Sequence, residues 1–294
     1  MVLFSLLSDK YFTILNLTNI LIQNVHIVVV CTAVMIIMIS GGTDLSIGYQ
    51  VSVASVIITK MLTVSSVSIW IAIPVGILSC MLMGTFNGTA SLVLKSHSMM
   101  VTLGTMFIYE GISYLISQSK TFYYLPKSYM FIGQGNIFGF VPLNFVIMVV
   151  IVIIAGIIMS KTYLGRSIYL AGDNPEAARL GGLRVNQIKI LAFTAAGFLV
   201  GISAILLSSR AGAADSTTGL GLEFTGIIAC VLGGVSLKGG EGKLWKVVTA
   251  VFLLGVLSNG MQLINLGTYP QYITKGVIML VSIYISKKQT TSIY

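Results

Sequence analysis

Long apolar runs separated by short polar stretches dominate this chain, and the runs are far too long for strands. A helix needs about 20 mainly apolar residues to cross a bilayer. Nine runs approach that length, near 19–40, 45–62, 69–94, 99–117, 143–159, 188–208, 223–237, 244–264 and 271–286. The second and seventh are short and flanked by glycines, which suits a broken or re-entrant segment. The pattern predicts an all-α polytopic transmembrane bundle of about nine spans, one domain over 1–294. Two connections are long: 118–142, with Phe122, Tyr123, Tyr124 and Tyr129, and the polar 160–187.

Composition agrees. Charged residues make up 9% and hydrophobic residues 56%, with a mean hydropathy of +0.97. Soluble domains carry about 25% charged residues, so a soluble enzyme or a nucleic-acid-binding module is excluded. The net charge of +9 reads as membrane orientation and not as affinity for nucleic acid. With Lys287 and Lys288 inside, alternation also puts Lys95, Lys161, Arg166, Arg179, Arg184, Lys189, Lys238, Lys243 and Lys246 inside, 11 in all. Five lie outside: Lys10, Lys60, Lys120, Lys127 and Arg210. That excess predicts a cytoplasmic C-terminus.

Enzyme machinery is missing. Gly242-Lys243 is followed by Leu244, and Leu237 stands where a Walker A motif has its first glycine. There is no HExxH, GxSxG or paired-cysteine motif. Cys31, Cys80 and Cys230 sit in apolar runs, suiting packing and not a disulfide or metal site. Residues 1–7 show neither the basic start nor the cleavage motif of a signal peptide. No cofactor or metal is expected in this chain.

The segment GRSIYLAGDNPEAARLGGLRV, 165–185, spells a short helix. Asn174 suits the N-cap, Pro175 the first helical position, and Glu176 and Arg179 the two ends of the dipole. Ala177, Ala178 and Leu180 favour helix, and Gly181 and Gly182 stop it. So short a helix buries little by itself. It is either an ordinary interfacial helix or one that docks into a partner.

This segment resembles the cytoplasmic coupling loop of ABC-importer permeases of the ribose/galactose/xylose/autoinducer-2 type. In order, GGTDLSIG at 41–48, VTLGT at 101–105, GLGLEFTGIIACVLGGVSLKGGEG at 219–242 and NGMQLINLGTYPQYITKG at 259–276 resemble further segments of that family. The resemblance spans roughly 12–286. It implies the type II importer permease fold, with two permeases forming the pore as a homo- or heterodimer. A cytoplasmic ABC ATPase would bind the ATP, and an extracytoplasmic solute-binding protein would deliver a monosaccharide or similar small polar solute. Location in a bacterial plasma membrane follows. Gly165, Arg166, Asn174, Pro175, Glu176, Ala177, Ala178, Arg179 and Gly182 inherit contact with the ATPase.

The chain departs from the family in four places. The family's usual further span before residue 19 is absent, so the start lies upstream or the helix is missing. His97-Ser98-Met99 replaces Pro-Phe before VTLGT, and the turn near Trp245 and Lys246 lacks its usual glycine. Glu223-Phe224-Thr225 stands for a Glu-Leu-Asp segment, so a second acid is gone.

Asp44 is the sharpest single residue, since an acid at a span boundary is costly unless it meets water or a partner. Two readings stand: a cap for the second span, or a pore group. Gly41, Gly42, Ser46 and Gly48 accompany it at the helix break. Asn87, Glu110, Glu223 and Asn259 are further pore candidates, and Gln23, Asn24, His26, Gln262, Gln271 and Lys275 are the other polar groups within spans. An amide-rich lining suits a sugar path, while interhelical hydrogen bonding explains the same residues. Glu110 and Lys275 could pair. The competing functions are an ion-coupled secondary transporter, for which Asp44 and Glu110 are the available acids, and an ABC permease for branched-chain amino acids. GGxxLxxG also recurs, at 41–48 and 233–240.

Overall fold

The computed structural model describes residues 11–291; the expectations for residues 1–7 and for a further span before residue 19 lie outside them. Twelve helices are described: α1 (Ile14–Ile39), α2 (Ile47–Thr63), α3 (Ile69–Val93), α4 (Ser98–Ser117), α5 (Lys127–Gln134), α6 (Leu143–Lys161), α7 (Tyr163–Asp173), α8 (Pro175–Leu180), α9 (Val185–Ala211), α10 (Leu222–Leu232), α11 (Leu244–Leu263) and α12 (Thr268–Thr291). Each of the nine apolar runs falls on a helix. Six of these, α1, α3, α4, α6, α9 and α11, are long and apolar enough to cross a membrane. The two glycine-flanked runs become the short helices α2 and α10.

Neither long connection is a plain loop. Segment 118–142 holds α5 and a two-residue hairpin, β1 (Asn136–Ile137) antiparallel to β2 (Val141–Pro142). Tyr129 on α5 is fully buried, and its hydroxyl shares a hydrogen bond with Ser208 Oγ at 2.7 Å. The aromatic content of that connection thus pins α5 over the end of α9. Segment 160–187 holds α7 as well as the expected α8; Thr162 caps α7 by accepting from Gly165 N–H at 3.2 Å.

The core is set by α1 and α9, whose most apolar windows are 78% and 61% buried, against 22% for α3, α4 and α6. Lipid offers no hydrophobic gain for bringing helices together, so close contact must come from small residues and van der Waals packing. Where α3 crosses α9, each presents a GxxxG sequence, Gly84–Gly88 and Gly197–Gly201. A Cβ at Gly84 would strike the Phe193 carbonyl, and one at Gly197 the Cys80 carbonyl.

Cys31, Cys80 and Cys230 are all buried and free. The Cys80 and Cys230 thiols lie 3.4 Å and 3.5 Å from the Gln50 and Cys31 carbonyls.

Candidate functional site

Three places gather the polar residues: the break between α1 and α2, the platform of α7 and α8, and a cavity among α1, α9, α10, α11 and α12.

Residues 40–46 are irregular backbone within a membrane bundle, tolerable only where protein satisfies the freed polar groups. Gly41, with φ +79°, turns the chain at the end of α1. Ser98 Oγ accepts from Thr43 N–H at 2.8 Å, and Thr102 Oγ1 accepts from Leu45 N–H at 3.1 Å. The hydroxyls of α4 thus stand in for the missing helix.

Asp44 is 3% exposed and accepts four hydrogen bonds. Oδ1 takes the Ser46 N–H at 2.8 Å and the Ser46 hydroxyl at 2.7 Å. Oδ2 takes the Gln50 and Asn87 side-chain amides, each at 3.0 Å. Both amides also donate to Ser46 Oγ, and Tyr109 donates to Asn87 Oδ1 at 3.0 Å. The capping expectation is therefore corrected. Ser46 occupies the N-cap position without a side-chain cap bond, and Asp44 lies two residues earlier, joining α2 to α3, with α4 linked to them through Tyr109 on Asn87. Asp44, Ser46 and Asn87 are enclosed within a single subunit by this network.

Gly42 packs on Phe193, and Gly48 faces Glu223: a Cβ there would collide with Glu223 Oε2. Glu223, 1% exposed, accepts from Gly221 N–H at 3.2 Å through Oε1, while Oε2 has no hydrogen-bond partner. Asn259 forms a reciprocal amide pair with Asn16, at 3.0 and 2.9 Å. For Asn87 and Asn259 the geometry is that of interhelical bonding. Glu110 lies against the Tyr49 hydroxyl, whereas Lys275 lines the cavity, so the suggested pair does not form.

The two GGxxLxxG segments meet. Gly240 N–H donates to the Ile39 carbonyl at 2.9 Å, and Gly239 approaches Gly41 backbone to backbone. Gly172, at the end of α7, closes the junction, since a Cβ there would strike the Ile39 carbonyl. Alternation had put all three segments on the cytoplasmic side. Gly172 was missed because its role depends on two segments distant in sequence.

On that face, α8 forms as its local signals require. Asn174 Oδ1 accepts from Ala177 N–H at 3.0 Å, Pro175 opens the helix, Glu176 is in its first turn and Arg179 in its last. Gly182 has φ +85°. Ala178 is buried with Ala171 and Val185. Glu176, Ala177 and Arg179 are exposed, as is Arg166 on α7. Leu180 is 87% exposed. Arg179 donates to Asn186 Oδ1 at 3.2 Å. Gly165 is buried where α7 turns back on α6, with no room for a side chain. The Tyr169 hydroxyl donates to the Gly242 carbonyl at 2.8 Å, and burial pushes its pKa above the usual tyrosine range. An apolar groove of about 300 Å³ opens beside α8, lined by Tyr163, Leu164, Ile168, Leu183 and Ile188.

The cavity holds about 350 Å³ and collects much of the expected amide-rich lining: Gln23, Asn24, Gln262 and Gln271, with His26 and Lys275. Arg210, Thr225 and Ser258 complete its polar wall. Arg210 had been assigned only to an outer loop. It ends α9, and only the packing of α1, α11 and α12 turns that end into a wall.

Residues 16–285 match the family model described as "Branched-chain amino acid transport system / permease component". The L-arabinose transport system permease protein AraH of Escherichia coli (strain K12) is 36% identical over 248 residues, 84% of this chain and 75% of that protein. The ribose import permease protein RbsC of Bacillus subtilis (strain 168) is 29% identical over 291 residues, 98% of this chain and 90% of its own. The L-arabinose ABC transporter permease protein AraH of Azospirillum brasilense is 31% identical over 288 residues, 96% and 84%. No solved structure matches. With the helical bundle, its six membrane-length helices and a match over nearly its whole length, the chain belongs to the branched-chain amino acid transport system permease component family of multi-pass membrane proteins.

Proposed function

We propose that this chain is the membrane-spanning permease subunit of an ABC importer for a monosaccharide, located in the bacterial inner membrane. A separate cytoplasmic ATPase drives it, and the permease itself makes and breaks no bonds. The observation that carries this reading is α8, held from beneath by Ala178 while Glu176, Arg179 and Leu180 point away from the subunit. A helix of six residues contributes little by its own burial, and its exposed face offers both charge signs beside an apolar groove. That surface suits a partner that must push on the bundle. The force would pass from α8 through Gly172 to the joined breaks at Gly41 and Gly240. ATP binding in the partner then shifts the equilibrium between inward- and outward-open states, through the partner's differential affinity for the two.

The assignment to sugar rests on the L-arabinose and ribose permeases among the relatives. A second permease copy or a related subunit completes the pore, and an extracytoplasmic binding protein delivers the solute. The test is uptake of labelled ribose or L-arabinose into proteoliposomes holding this chain, its ATPase and its binding protein. Uptake that requires ATP and stops with a hydrolysis-deficient ATPase is expected; uptake that follows an ion gradient without the ATPase would overturn the proposal.

A further inference from the structure

The cavity among α1, α9, α10, α11 and α12 has a charge pattern that monosaccharide import does not explain. Arg210 and Lys275 both line it, and among the described residues no carboxylate does. Arg210 Nε is buried and lacks a hydrogen-bond partner. Thr225, which also lines the wall, is neutral. Two half-buried cations that face a cavity without a carboxylate are a pattern that marks ligand paths in membrane bundles. Around them stand neutral hydrogen-bonding groups, among them Gln262, Gln271 and His26.

We propose that this cavity binds a hydroxylated solute carrying an anionic group, a monosaccharide bearing a carboxylate or a phosphate. The anion sits between Arg210 and Lys275, since guanidinium matches both oxyanions bidentately and the ammonium adds a point charge. The amides take the hydroxyls. A volume of about 350 Å³ lies in the range of small-molecule sites, about 300–1,000 Å³. The position fits delivery from outside: Arg210 ends α9, Gln262 lies in the last turn of α11, and Gln271 and Lys275 lie in the first turns of α12. By the charge bias these are the extracytoplasmic ends. The proposal refines the substrate class of the permease reading and rests on it.

The test uses the full chain in phosphatidylcholine nanodiscs, titrated with D-ribose, D-ribonate and ribose 5-phosphate. At least one anion should bind tenfold or more tightly than ribose. Arg210→Gln and Lys275→Gln should each remove that preference. Thr225→Asp keeps both cations and adds a carboxylate to the wall, and it should shift the preference toward ribose. Size exclusion and thermal unfolding establish that each variant is folded. Equal affinity for ribose and both anions, or an anion preference intact in both glutamine variants, would overturn the proposal. So would stabilisation by added phosphatidylglycerol, dependent on Arg210 and Lys275, with no soluble anion bound, since the site would then hold a lipid headgroup. ATP-driven uptake of neutral ribose alongside a failed anion titration sinks this inference alone; absence of any ATP-driven sugar uptake sinks the permease reading.

Discussion

Asp44 shows how a single residue is decided by its partners, one of which, Asn87, lies 43 residues away in sequence. Its carboxylate takes four hydrogen bonds in a nearly water-free site. Removing it leaves the Ser46 N–H and two amides short of an acceptor. Leaving a buried neutral donor unsatisfied costs about 1–3 kcal/mol. Asp44→Ala should therefore lower the unfolding temperature in detergent markedly, and Asp44→Asn less, since it keeps one acceptor oxygen. Equal unfolding temperatures for wild type and Asp44→Ala would refute the hub. The Asn16–Asn259 pair joins α1 to α11 with two bonds. A double-mutant cycle through alanine should return about 0.6–1.7 kcal/mol, the span measured for polar pairs in membrane bundles. Asn259 was legible as a polar group inside an apolar run and Asp44 as an acid at a span boundary, whereas Asn16 precedes the first run. Which of them bonds a neighbour and which lines a cavity was not, because apolar periodicity carries no information about helix pairing.

Among the elements, α8 and the α3–α9 crossing differ in how they are specified. Every end signal of α8 lies within nine residues, Asn174 to Gly182, and the observed helix follows them. Charge reversal at Glu176 or Arg179 should leave insertion intact and separate ATP hydrolysis from transport in the reconstituted system; normal coupling in both variants would remove the docking role. The α3–α9 crossing depends on two GxxxG sequences that mean little until the helices are paired. Gly84→Leu would push a side chain into the Phe193 backbone, at an overpacking cost of about 1–3 kcal/mol or more. Gly104→Ala on α4, where nothing lies within 4 Å, should leave unfolding unchanged. Matching losses at both positions would argue against the crossing as the tight contact. Helix α7 was missed because most of it precedes the capping signals of α8 and is amphipathic only against α6 and α9.

At the scale of the whole molecule, three distant segments converge on one junction of Gly41, Gly172 and Gly240. On the proposed function, a platform joined this way to two helix breaks would transmit a push from α7 and α8 without a long lever. Gly172→Val should disrupt it: the junction has no space for a side chain, and transport should fall more steeply than ATPase binding. Pull-down of the ATPase together with uptake rates would separate the two effects; loss of binding with normal uptake per bound complex would contradict the role.

The sequence alone determined that the chain is a multi-pass helical membrane protein and where α8 begins and ends, and it supplies an expected orientation. Each of these follows from local or summed properties: apolar run length, the sidedness of lysine and arginine, and capping residues close to the turns they cap. Tertiary structure alone decided the roles of the polar groups. Asp44 became a buried tie between two helices, Asn259 half of an amide pair, Glu110 a neighbour of Tyr49, and Arg210 a cavity wall. The physical reason is that a buried polar group in a bundle is defined by its hydrogen-bond partners, and those partners lie from two residues away, as Ser46 does from Asp44, to 243, as between Asn16 and Asn259.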